Sequence, residues 1–376
     1  MTLTKKLLGF TAASLLLAPS FASARFGSFP DRGFVLSLSN TRYNRVEGLF
    51  LGANALIAPP GWRGVGIFGS GGYGHANKQW RYEAGLEVRG KTAGLSAAYF
   101  NRTASLDDSL ITVASNTLLA LFTKRDYKDY YQARDGFELL ASHTHKKVLW
   151  MSARASIATL KAMPVTTNWS IFRRDDPFRA NPGIAEGKEG SISATLALDT
   201  RGAPSLSRSG TYLGGTFERR FRDFEDSGLS LAVRRYQVMP FGNQTLVLRG
   251  AMVSRTNLAI GDSLRLLYLG GIGTLRGYAF REMSGNRLLV LNADYLFRNA
   301  LKFLDLVVFF DTGWIGRRPS SSSLLSGFGD LQWSDFKSDV GLAIGLTGQM
   351  IRLDFARRLD RRHASWTVTI QGRKAI

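Results

Sequence analysis

Arg276, followed by Gly277 and Tyr278, stands in a long glycine-rich and basic stretch, "GGIGTLRGYAFREMSGNR" (residues 270–287), between two strand-like segments and without a helix or metal motif nearby. A guanidinium offers five donors in a planar fork, which suits a carboxylate gripped at two points. Other residues that could do chemistry point elsewhere. Gly69, Gly71 and Gly74 match a phosphate-cradling G-x-G-x-x-G, yet no helical pattern follows to present an N-terminus, so the stretch reads as a glycine-rich strand. His143 and His145 are two apart and would share a strand face as metal ligands. They lack a third ligand pattern and run into Lys146 and Lys147, so they read as an interfacial or turn position and no metal site is assigned. The four histidines, 75, 143, 145 and 363, lie in no nucleophile motif, which argues against an enzyme. Asp107–Asp108 and Asp175–Asp176 read as solvated loop or cap residues and not as a calcium site. No cofactor is called for.

The address and bulk composition narrow the setting. "MTLTKKLLGFTAASLLLAPSFASA" has a basic head at Lys5 and Lys6, an apolar middle and a small-residue cleavage site at Ala22-Ser23-Ala24, so residues 1–24 read as an export signal peptide. Its apolar run is interrupted by Ser14 and closed by Pro19, short of the roughly 20 residues of a spanning helix. The chain has no cysteine, so an exported product must hold together without disulfides. Forty glycines and an abundance of Phe, Tyr and Trp favour β-structure. A formal net charge of +20 would suit nucleic acid, but export excludes that partner in favour of anionic outer-membrane lipids and lipopolysaccharide.

Alternating strands fill most of the chain. In "QWRYEAGLEVR" (residues 79–89), Trp80, Tyr82, Ala84, Leu86 and Val88 share one face, and Gln79, Arg81, Glu83, Glu87 and Arg89 the other. Eleven residues extend about 36 Å, which at a tilt near 45° covers about 25 Å, the height of an outer-membrane apolar band. The pattern returns in "SISATLALD", "RLLVLNADYLF" and "SDVGLAIGLTG", and Trp80, Phe297 and Trp366 fall near strand ends, as girdle aromatics do. In lipid a sheet survives only by closing on itself, so the expected fold is all-β: a transmembrane antiparallel barrel. Sixteen strands are expected, over 46–57, 63–74, 79–89, 93–101, 136–146, 148–160, 165–172, 191–199, 210–221, 226–238, 243–254, 287–298, 304–313, 338–347, 350–357 and 365–373. Residues 25–45, including the strand-like 32–39, read as a short periplasmic lead-in, and 46–376 as the barrel. Leu110, Val113, Ala114, Thr117, Leu118, Leu121 and Phe122 recur at helical spacing after Ser105 and Asp108, placed like a capping box. This predicts one short amphipathic helix over 106–123, on the periplasmic side by strand parity.

"LRGYAF", followed by strands that include "FFDTGWIG" and "DVGLAIGLTGQMIRLDFARRL", resembles the outer-membrane assembly barrel superfamily, also called the bacterial surface antigen family. Its members include the central subunit of the barrel assembly machinery and the two-partner-secretion transporters. The resemblance implies a loop folded back into a sixteen-strand barrel, carried here by Arg276, Gly277 and Tyr278, whose Arg meets the Asp of a strand motif carried here by Phe309, Asp311 and Gly313. Leu275 stands where Val or Ile is usual. Parity agrees: Asp311 falls with Asp305 opposite Leu306, Val308 and Phe310, and so faces the lumen. Gly277 is expected to let the loop approach the wall, and Gly313 to leave room beside the carboxylate.

"LALDTRGAPSLSRSGTYLGG" and "TRYNRVEGLFLGA" resemble the family more loosely. Relatives that insert or secrete proteins usually carry POTRA domains ahead of the barrel, whereas only about twenty residues separate Arg25 from the first expected strand, below a domain of 50 or more. The chain also ends in "KAI" and not in an aromatic residue. The implied function is an outer-membrane component for protein insertion or translocation, without its own periplasmic receptor and working with a separate periplasmic receptor or client protein. A passive outer-membrane pore and an outer-membrane hydrolase are the alternatives.

Overall fold

The structure, a computed structural model, describes residues 33–372 apart from 60, 62–63, 108–109, 174, 202–208, 241, 257–264, 302, 320 and 347–350. The expected signal peptide and Asp108 lie outside the described residues. The alternating segments form β1 (Gly33–Ser37), β2 (Arg42–Asn44), β3 (Gly48–Ala58), β4 (Val65–Gly74), β5 (Gln79–Arg89) and β6 (Ala93–Ala104). After helix α1 (Val113–Thr123) come β7 (Tyr131–His145), β8 (Leu149–Ala162), β9 (Gly187–Asp199), β10 (Gly210–Arg222), β11 (Ser227–Val238) and β12 (Gln244–Arg255). A small hairpin, β13 (Leu267–Leu269) and β14 (Met283–Gly285), precedes β15 (Arg287–Leu301), β16 (Leu304–Gly316), β17 (Lys337–Leu346), β18 (Ile351–Arg358) and β19 (Thr367–Gly372). Seventeen of these strands join one antiparallel sheet, while β13 and β14 pair with each other. No helix among the described residues is long and apolar enough to cross a membrane.

The sheet is apolar outside and polar inside, the reverse of a water-soluble fold. On β5 the large apolar residues Trp80, Tyr82, Leu86 and Val88 are exposed, whereas Arg81, Glu83 and Glu87 are buried. On β17, Val340, Leu342, Ile344 and Leu346 are exposed while Asp339 and Ala343 are buried. Tyr73 and Trp80 (ring centroids 5.2 Å apart) and Tyr82 and Tyr99 (6.2 Å) line one rim, where Trp80 is exposed as expected. Trp366 is also exposed, but Phe297 is half-buried beside Tyr295.

The inner wall has two characters. Across β5 to β12 it carries a lattice of charges and hydroxyls: Arg102 joins Glu83 and Glu138, Arg220 and Arg265 share Glu189, and Ser156 bonds Ser191. On the β11 to β18 side, Tyr236, Val247, Leu296, Val307, Phe309, Ala343 and Ala356 form an apolar core. The space inside is therefore partly a packed interior.

Connections alternate between the two ends of the sheet. One end has short turns such as 90–92 and 146–148; the other, the mouth, carries the long segments 105–130, 163–186, 256–286 and 317–336. Three expectations need correction. Residues 165–172 form no strand, because their amides are used elsewhere: Thr166 and Thr167 donate to the Arg45 carbonyl, Ile171 to Leu121 and Phe172 to Phe122. Residues 33–44, expected as a lead-in, are part of the sheet, with β1 and β2 lying end to end along β3. That added stave reverses the parity of the connections up to residue 164, after which the loss of 165–172 restores it, so α1 sits at the mouth with the Arg276 loop and not at the opposite end.

The helix also starts later than expected. Thr112 caps it, its side chain accepting from the Ser115 amide at 3.1 Å, while Ser105 accepts from Asp107 in a preceding turn. Lys124 ends it in the left-handed conformation (φ 57°).

Candidate functional site

The segment 270–282 folds inward from the mouth and is gripped by strands far apart in sequence. Leu275 (0% exposed) and Tyr278 (1%) pack with Val253, Leu269, Leu288 and Val290, an apolar bed that positions Arg276 between them. Leu275 in place of a β-branched residue thus keeps the same job of filling that bed. Arg276 itself is 4% exposed, drier than a watered lumen would leave it.

Its guanidinium spans three strands. Nε donates to Asp311 Oδ2 at 2.6 Å and Nη2 to Asp311 Oδ1 at 2.6 Å, a two-point grip on β16. Nη2 also reaches Asp294 Oδ1 on β15 at 2.7 Å, and Nη1 lies 3.7 Å from Asp354 Oδ1 on β18. The Phe309 ring lies against one face of the guanidinium, 3.5 Å from Arg276 Cζ to its centroid, a cation–π contact. Asp311 is completed by Asn292 Nδ2 at 2.7 Å, and Asn292 also ties to the loop through the Thr274 carbonyl at 2.8 Å.

Gly277 and Tyr278 extend the grip toward the last strands. The Gly277 amide donates to Asp339 Oδ2 at 2.9 Å, and its carbonyl accepts from Thr367 Oγ1 on β19 at 3.3 Å. A Cβ on Gly277 would come within 2.8 Å of Asp339 Cβ and 2.9 Å of the Arg358 amide nitrogen, so only glycine fits without movement. Tyr278 donates to the Ser338 carbonyl at 3.3 Å, and Arg358 stacks over its ring at 4.1 Å. At the rim, the hydrogen bonds from Arg358 hold the Asp360 carboxyl down to about 2.

Arg276, Gly277, Tyr278, Phe309 and Asp311 are thus brought together. Gly313 differs in its role: the room it leaves is filled by Leu269 of the loop (2.9 Å from a Cβ there) and by the Leu289 carbonyl, not by the carboxylate. Sequence reasoning missed Asp294, Asp339, Asp354, Arg249 and Arg352. Arg352 bridges Asp354 at 2.6 Å and Asp294 at 3.2 Å, and Arg249 also holds Asp294. The available signal was charge at inward-parity positions of strands that are otherwise small or apolar there. His143 and His145 close β7 at the short-turn end, away from His75 and His363 at the mouth. Among the described residues no group of three or more His, Cys, Asp or Glu could hold a metal. What the cluster can do is mechanical: it fixes a loop inside a sheet.

No family model matches the chain, and no curated protein matches it. Among solved structures, BamA from Haemophilus ducreyi, in a form lacking POTRA domains 1–3, superposes with a TM-score of 0.56 at 10% identity, covering 88% of this chain and 68% of that one. The chain shares the fold of that BamA structure. CdiB from Acinetobacter baumannii is similar at TM-score 0.44 and 11% identity, and CdiB from Escherichia coli at 0.45 and 13%. The chain spans 58% and 62% of those two proteins.

Proposed function

We propose that this protein is an outer-membrane barrel of the protein insertion or translocation type, delivered there after cleavage of residues 1–24. In this reading the sheet closes between β1 and β19 into sixteen staves, with β1 and β2 counted as one. The long connections face the exterior, as they do in bacterial outer-membrane barrels. The exposed apolar face meets lipid, and the basic balance of the chain favours lipopolysaccharide as a neighbour. A separate periplasmic protein supplies client recognition, and no covalent chemistry is involved.

The observation that carries this reading is Arg276, buried and paired across β15, β16 and β18. The seam is the mobile part on physical grounds: among the described residues the first stave has 5 residues in β1 and 3 in β2, and β19 has 6, against 15 in β7, so few ladder bonds resist its opening.

The test uses the absence of native cysteine. Pairs of cysteines, one in β1 and one in β19, are screened for a disulfide, and the protein is reconstituted in liposomes with an unfolded test barrel as client. Insertion of the client should be accelerated by the reduced protein and fall to the level of empty liposomes on oxidation. Acceleration that persists with the seam locked would reject the seam mechanism. A steady bilayer conductance indifferent to both the lock and Arg276→Ala would favour the pore instead.

A further inference from the structure

Resting on that reading, we infer that Arg281 and Glu282 form a two-handed clasp that holds the seam shut from the mouth. The two residues are adjacent in the loop but reach opposite ways. Glu282 accepts from Arg358 Nη1 at the end of β18 at 2.9 Å, next to the Gly277 contact with β19. Arg281 pairs with Asp129 and, at 2.7 Å, with Asp107 in the helix-bearing connection 105–130. Asp129 in turn is bound by Arg45 at 3.2 Å, and Arg45 sits in the turn joining β2 to β3, at the first staves. The chain of contacts Arg358–Glu282, Arg281–Asp129–Arg45 therefore runs from the last strands to the first over the mouth.

The far half of the clasp is well built. Arg45 and Asp126 have no exposed side-chain surface, and Arg45 further donates to the Lys128 carbonyl at 2.6 Å and to Asn181 at 2.9 Å. Apolar packing backs the charges: Ile272 of the loop lies with Ile111 and Tyr127, and Phe280 meets Tyr127 edge-on at 4.9 Å. Helix α1 is joined to the same first stave, where the Tyr43 amide donates to Thr117 Oγ1 at 3.2 Å. This gives the helix-bearing segment a purpose: it carries the loop's hold across to β2 and β3. Arg276 fixes the loop to the wall, and Arg281 fixes the first strands to the loop.

Single-channel recording of the full-length protein in planar bilayers tests the clasp. Arg281→Ala combined with Glu282→Gln should raise the frequency of openings at least about tenfold, and Arg281→Lys should give an intermediate rise. Replacing Arg281 and Asp129 by cysteines and joining them with a short bis-maleimide should return the channel to wild-type quiet. If the alanine variant does not show the heat-modifiable migration of a folded barrel, Arg281→Lys and the bridged pair carry the test. An unclasped protein as quiet as wild type would overturn the clasp and leave the seam reading to the disulfide experiment. Openings that persist in the unclasped protein with the β1–β19 disulfide formed would overturn the seam reading itself, and with it this role for Arg281.

Discussion

Replacing Arg276 with alanine is expected to cost the folded protein about 3–5 kcal/mol, the penalty for removing one partner from a buried ion pair. The carboxylates do not suffer equally. Asp294 keeps Arg249 and Arg352, and Asp354 keeps Arg352. Asp311, with no exposed surface, keeps only neutral help such as Asn292 Nδ2 and loses the cation that balanced it and the facing Asp339. The loss should therefore be concentrated on Asp311, and Asp311→Asn should partly rescue Arg276→Ala. A double-mutant cycle by urea unfolding from liposomes should give a coupling of about 0.5–3 kcal/mol. Arg276→Lys keeps the charge but not the fork, and should fall between wild type and alanine. Additive effects of Arg276→Ala and Asp311→Asn would mean that the pair is not formed in the membrane.

Gly277→Ala should push the loop off the β17–β18 wall. The atoms it meets are Asp339 Cβ at 2.8 Å, the Arg358 nitrogen at 2.9 Å and the Arg357 carbonyl carbon at 3.0 Å. Asp339 and Arg358 are paired in the β17–β18 ladder, so the wall cannot retreat without breaking sheet bonds and the loop must move instead. Overpacking of this kind costs about 1–3 kcal/mol. Movement also withdraws the Gly277 amide from Asp339, a carboxyl that faces Asp311 across the β16–β17 ladder. Limited proteolysis should cut the 270–282 segment faster in Gly277→Ala, and Gly277→Val should be worse. Equal cleavage rates in wild type and both variants would show that the loop does not lie against β17 and β18.

Much of this arrangement was legible one strand at a time. Alternation is a local signal, so the lipid-type face of β5 and the inward parity of Asp311 could be read from spacing alone. What depends on non-local pairing could not. Asp339 lies directly opposite Asp311 across β16 and β17, and Asp354 and Asp294 approach Arg276 from strands on either side, yet no spacing in the chain announces those registers. Residues 165–172 have strand-like composition but give their amides to Arg45 and to the end of α1, a tertiary choice. The misplacement of α1 shows how such errors propagate: omission of the stave built from residues 33–44 was enough to move the helix to the wrong end. Gly313 was recognised as a place needing room, but the neighbour that uses the room, Leu269, belongs to the incoming loop.

If its carboxylates hold the Arg276 loop inside the sheet, position 278 must be protected from solvent. With Tyr278→Cys as the sole thiol, a membrane-impermeant maleimide should label the protein in nanodiscs far more slowly than it labels a cysteine placed at Leu325, which is 62% exposed against 1% for Tyr278. Adding Arg276→Ala should bring the two rates together. Rapid labelling at 278 while Arg276 is intact would mean that the loop is not held inside the sheet.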